Sequence, residues 1–281
     1  MLYKYNIFLL PLIFTLVFCQ TAFSDSMSVS FGSFILDVQN KGTATVKIFG
    51  NQGNPLSDIM VVAKNDKENI ATVTPNKGLT NSNGQISFTI NGISNGIAII
   101  TFTANTLSDT LPLTVVSNIA PCAMASSSGG GRNSFGPKMM NDGKEKDDCS
   151  YHWVKTRNEV GQKKNAWIRL DWNRAVTLTR MTIQTTDCNE SCGEDSDDPF
   201  YIDPGRNLGN GLVQYLSADA MTWVTDDEFV KEIGDIEYSF TKPITTRAIR
   251  IRRISPSAGC KGQQSNPIVF EWKVYGTPSC K

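Results

Sequence analysis

The stretch KMMNDGKEKDDC, residues 138 to 149, gathers Asn141, Asp142, Glu145, Asp147 and Asp148 around Gly143. Oxygens at that density suit the coordination of a hard cation, which takes about six to eight of them. A tight glycine turn also lets backbone carbonyls converge on such an ion. The alternating acidic ligands that precede the glycine of an EF-hand loop are missing. The stretch is open to two readings, a cation-holding loop or a charged turn kept in water. A second acidic run, GEDSDDP at Gly193 to Pro199, poses the same choice, with a solvated loop expected. Catalytic patterns are scarce. His152 is the single histidine, so a His-Glu-x-x-His zinc site cannot be built. A paired-carboxylate glycosidase through the Glu194 to Asp198 cluster is the remaining catalytic option. That cluster reads as local and solvated, and a non-catalytic protein is expected.

The elements that must position these residues follow a leader. Lys4 precedes the apolar run Ile7 to Phe18, and the small residues Ala22 and Ser24 follow it. That is the layout of a cleaved signal peptide over residues 1 to 24, with the mature chain beginning near Asp25. Acylation of Cys19, giving a periplasmic or outer-membrane lipoprotein, is the alternative; bulky Phe18 stands where that signal wants a small residue. No later run is apolar enough to cross a membrane. The chain has 27 basic and 27 acidic residues. A chain so nearly neutral, without a long basic run, offers no electrostatic footprint for nucleic acid. Beyond Cys19 there are six cysteines, Cys122, Cys149, Cys188, Cys192, Cys260 and Cys280, all after residue 121. An even count in an exported chain predicts disulfides, with fifteen pairings open. Their absence from the first part predicts two domains.

From about Ser28 to Ser117, TATVKIFG, DIMVVAK, GQISFTI, GIAIITFTA and TLPLTVV alternate at period two, separated by NQGNP, NSNG and ISNG. Such short strands predict an immunoglobulin-like β-sandwich over residues 25 to 117. VKIFGNQGNPLSDIMVVAK and TNSNGQISFTINGISNGIAIITFTA are similar to bacterial immunoglobulin-like repeats of the invasin and intimin kind. Beyond the junction SNIAPC, strand candidates AWIRLDW, LTRMTIQTT, GLVQYLSADAMTWV, IEYSFTKP, RAIRIRRI and IVFEWKVYG continue with longer loops. The loop from Asp187 to Asn210 is long, and loops of that kind in compact domains are often functional.

In order, ASSS at Ala125, NDG at Asn141, WIRLDW at Trp167, YLSADAMTW at Tyr215, RAIRIRRI at Arg247 and EWKVYG at Glu271 resemble a discoidin, or coagulation factor 5/8 type C, domain. The resemblance spans residues 118 to 281 and implies a galactose-binding-like jelly-roll β-sandwich whose first and last strands lie side by side. It implies a disulfide between Cys122 and Cys280, worth about 4 to 5 kcal/mol in the chain-entropy model. Cys188 and Cys192 are close enough in sequence for a local bridge, which would leave Cys149 with Cys260; three pairings of these four stay open. It further implies a structural calcium held by the side chains of Asp142 and Glu271 and by carbonyls near Met139, Lys144, Asp147 and Phe270.

In that family ligands meet loops at one end of the barrel, where an aromatic face stacks on a sugar ring and polar groups bond its hydroxyls. The residues implied here are Tyr151, His152 and Arg157, with Phe200, Tyr201, Asp203 and Arg206 from the long loop and Asn266 from a third. Trp153, Trp167 and Trp223 are implied to pack the core. The expected protein is all-β, secreted or at the cell surface, and recognises a carbohydrate or surface glycoconjugate for adhesion, with the first domain as spacer. A structural subunit binding other cell-surface proteins is the alternative.

Overall fold

In the computed structural model the described residues are 24–128, 136–144, 153–154, 166–185, 208–230, 234–255 and 268–278. They are almost entirely β. The first nine strands are β1 (Ser26–Phe31), β2 (Ile35–Asp37), β3 (Lys41–Phe49), β4 (Met60–Asn65), β5 (Ala71–Thr74), β6 (Lys77–Leu79), β7 (Gln85–Gly92), β8 (Gly96–Ala104) and β9 (Leu107–Asn118). The rest are β10 (Met124–Ser127), β11 (Trp153–Val154), β12 (Trp167–Gln184), β13 (Asn210–Leu216), β14 (Trp223–Val230), β15 (Ile236–Ser255), β16 (Ile268–Val269) and β17 (Glu271–Thr277). Two 3-10 turns, Ala120–Cys122 and Pro137–Met140, interrupt them. Among the described residues no helix is long and apolar enough to cross a membrane. Residues 1–23 of the expected leader lie outside them.

Strands β1, β3, β7 and β5 form one sheet, and β9, β8, β4 and β6 face it with β2 beside β9. Their inward residues alternate as period two requires: Ala44, Val46 and Ile48 from β3 meet Ile100 and Phe102 from β8. Phe88 and Phe102 close the layer with ring centroids 5.1 Å apart. Gly92 to Gly96 reads Gly-x-Ser-x-Gly, the pattern of a hydrolase elbow. It joins two antiparallel strands instead of a strand and a helix, and Ser94 Oγ donates to Asn69 O at 2.6 Å. This serine is a turn residue.

A second, separate core holds Ile168, Leu170, Leu178, Met181, Ile183, Ile249, Ile251, Trp272 and Val274 among others. AWIRLDW and LTRMTIQTT, two strands by sequence, are one long strand β12; IEYSFTKP and RAIRIRRI likewise merge into β15. Register breaks between Asp171 and Val176, and between Leu178 and Arg180, let each long strand bend. By contrast, GLVQYLSADAMTWV is not one strand. It is the hairpin β13–β14, turned by Ser217 to Thr222 with Ala220 at φ +58°. Strands β10 and β17, the first and last of this part, lie along the same edge of β12 one after the other.

The two cores share one sheet. Strand β9 reaches past the first sandwich, and its Ser117 and Asn118 pair with Gly276 and Tyr275 of β17. Asn95 Nδ2 donates to Gly276 O at 2.5 Å and to Ser117 Oγ at 2.9 Å. Arg180 bridges to Asp37 at 2.5 Å while its guanidinium lies 3.4 Å from the Tyr275 ring centroid. The junction is thus hydrogen-bonded on both sides, with no slack linker between β9 and the first 3-10 turn.

Candidate functional site

Pro137 opens the second 3-10 turn with its φ already suited to a helical start. Met139 N–H donates to Gly136 O at 3.0 Å, and Met140 is buried in the core. Asn141 is buried too, and its amide donates to Ala120 O at 2.7 Å and Ala123 O at 2.9 Å. That clasp fixes the segment to the first 3-10 turn. Gly143 then takes φ +84°, where a side chain would be strained. Its N–H donates to Glu271 Oε2 at 3.2 Å, across 128 residues.

Glu271 begins β17 and faces away from the core, yet the turn above leaves it with no exposed surface. Phe270, also buried, donates its N–H to Gln184 O at 3.0 Å, which sets Glu271 opposite Gln184. Gln184 Oε1 is buried and accepts no hydrogen bond. A buried carboxylate and an unspent amide oxygen on one face, beneath a positive-φ turn, are donors a hard cation accepts. Asp142 is exposed, and its Oδ1 accepts from Lys144 N–H at 3.1 Å within the turn. Among the described residues no three of His, Cys, Asp and Glu gather closely enough to hold a metal. A cation here would draw on carbonyl and amide oxygens beside the one buried carboxylate.

Asp147, Tyr151, His152, Arg157, Phe200, Tyr201, Asp203, Arg206 and Asn266 lie outside the described residues, as do Cys149, Cys188, Cys192, Cys260 and Cys280. Cys122 closes the first 3-10 turn. The tryptophans need correction. Trp272 and Trp172 are the buried indoles, whereas Trp167 and Trp223 are half-exposed on the outer face of the second sheet. Of Trp153 only the backbone is described. The reason is geometric: Trp167 precedes inward Ile168, so alternation turns it outward.

That outer face carries a cluster the motifs alone do not show. Arg169 of β12 stands directly opposite Arg250 of β15, and Gln214 of β13 stands on the other side of Arg250. The Arg250 and Arg169 guanidinium carbons lie 4.1 Å and 4.9 Å from the Trp223 ring centroid. Arg250 Nε donates to Gln214 Oε1 at 2.7 Å, and Gln214 Nε2 to Thr225 Oγ1 at 2.9 Å. Arg169 pairs with Asp171. Burial, and then the charges of Arg252 and Arg169, pull the Arg250 guanidinium below the usual arginine range. The available signal was the alternation of Arg with Ile in RAIRIRRI, read together with Arg169 in WIRLDW.

No family model and no curated protein matches the sequence. Solved structures do. The family 32 carbohydrate-binding module of Streptococcus pneumoniae EndoD is 19% identical, covering 57% of this chain and 100% of that chain at a TM-score of 0.43. The family 32 module of C. perfringens NanJ, solved in complex with galactose, is 13% identical over 57% of this chain and 98% of that chain, with TM-score 0.42. A two-domain protein of unknown function from Bacteroides fragilis covers 90% of this chain and 95% of that chain, at 12% identity and TM-score 0.39. At these scores the function has to be read from the chain's own residues.

Proposed function

We propose that this chain is a secreted, non-catalytic glycan-binding protein. Its second β unit, of discoidin type, is the recognising part, and the immunoglobulin-like first unit is a spacer that displays it for adhesion. One observation carries the reading: the NDG turn and the EWKVYG strand meet, with Gly143 N–H on the Glu271 carboxylate. Those are the two remote motifs that the discoidin resemblance joins at one corner. The hydrogen-bonded junction supports display in a fixed orientation. A glycan array probed with the full mature chain, with calcium and with chelator, tests the reading. Hits that a soluble sugar competes are expected; an empty array in both conditions, with a protein partner recovered instead, would replace it with the structural-subunit reading.

The same proposal holds that calcium sits at this corner in a purely structural role, with Asp142, Glu271 and carbonyls near Met139, Lys144, Asp147 and Phe270 as ligands and Gln184 Oε1 as a further oxygen beside them. It would pin the 136–144 segment over the sheet edge. Calcium in hundredfold excess over its dissociation constant adds about 2.7 kcal/mol to stability. The wild type is therefore expected to melt higher with calcium than with chelator, and Glu271→Gln is expected to lose that difference. A wild type that melts identically in both removes the ion from the account. The tie between Cys122 and Cys280 belongs to the proposal also.

A further inference from the structure

We propose that the outer face of the sheet formed by β10, β12, β15, β13 and β14 binds an acidic polysaccharide, with Arg169 and Arg250 gripping its carboxylate or sulfate groups. This goes beyond the loop-centred reading above and does not need it. Ser126, Arg169, Arg250, Gln214 and Thr225 form one row across five strands. At the usual strand spacing that row is about 19 Å across, room for several sugar rings.

Like charges directly opposite in a sheet repel and destabilise it. Here Arg169 faces Arg250, and Arg252 follows one row along on the same face. Local rules broken without structural gain are expected at functional sites. Among the described residues, the acidic residues on this face are Asp171, which pairs with Arg169, and Glu228, in the row of Arg252. Neither faces Arg250. An anion laid over the row would relieve the repulsion, and a guanidinium fork suits carboxylate or sulfate in bidentate fashion.

The neighbours then choose among anions. Gln214 is only 7% exposed, and it anchors Arg250 through Nε, which leaves the rest of the fork for a ligand. Two guanidinium groups already lie against Trp223, so its ring serves to hold them. Among the described residues the one further ring on this face is Trp167, in the row of Arg252, too few for stacking a run of nucleic-acid bases. Uncharged Ser126 and Thr225 at the two ends of the row match a ligand with hydroxyls between its charges. A uronate- or sulfate-bearing glycan is such a ligand.

The test measures binding of the full mature chain to polygalacturonate, dextran sulfate, neutral dextran, polyglutamate and single-stranded DNA, at low and raised salt. Binding to one or both acidic glycans, weakened by salt, and none to dextran is expected. Preference between the two glycans separates carboxylate from sulfate. Arg169→Gln and Arg250→Gln are each expected to weaken binding about tenfold or more, while Arg247→Gln, on the same strand but outside the row, leaves it unchanged. Should a Gln variant fail to fold, Arg250→Lys is read instead; it keeps the charge and loses the fork, and unchanged affinity would count against the proposal. No acidic-glycan binding, binding as tight as wild type by both Gln variants, or equally tight polyglutamate or DNA overturns it. Neutral-sugar hits without acidic-glycan binding would do so while leaving the loop reading intact.

Discussion

Trp272→Ala is expected to cost about 3 to 5 kcal/mol, the range for truncating a buried indole. The side chain has no exposed surface, stands opposite Ile183 on the core face, and donates its N–H to Met181 Sδ at 3.3 Å. At this size of domain that loss lowers the melting temperature by roughly 6 to 20 °C. The first sandwich shares no core residue with this cluster. Calorimetry of the variant is therefore expected to move one transition and leave another in place. Parallel movement of both would mean that the shared sheet between β9 and β17 couples the two cores into one cooperative unit. Because Trp272 neighbours Glu271, the variant is also expected to lose its calcium-dependent gain in stability.

Gly276→Ala is the second large effect, and it acts through backbone instead of core volume. A Cβ built there falls 2.3 Å from Thr177 O and 3.1 Å from Ile119 Cδ1. The carbonyl cannot give way, because Thr177 belongs to β12 and pairs with Thr277. Gly276 also pairs with Ser117 and accepts from Asn95, so the added methyl wedges β9, β12 and β17 apart where they meet. Overpacking of this kind costs about 3 kcal/mol. Urea unfolding checks it, with Gly136→Ala as the control, since nothing lies within 4 Å of a Cβ there. Equal stability of the two variants would show that the three strands separate freely at Gly276.

The amino-acid order by itself determined the all-β fold class. Period-two runs such as TATVKIF and GIAIITF leave no helical face to bury, so only sheets satisfy them. The discoidin resemblance implied that NDG and EWKVYG share a corner, and Gly143 N–H does donate to Glu271 there. Alternation is a local property, and local properties survive in a string of letters. Tertiary structure decided which of two alternating faces is covered. Trp223 and Trp272 are the same residue in similar strands, yet one lies half-exposed against two arginines and the other is sealed beneath a second layer. A register break at Leu178 to Arg180, or Arg253 at φ +58°, shifts by one residue which side chains point inward. Such shifts arise from pairing with strands far away in sequence, so the arginine face, the merged long strands and the β9–β17 junction became visible only when distant segments packed.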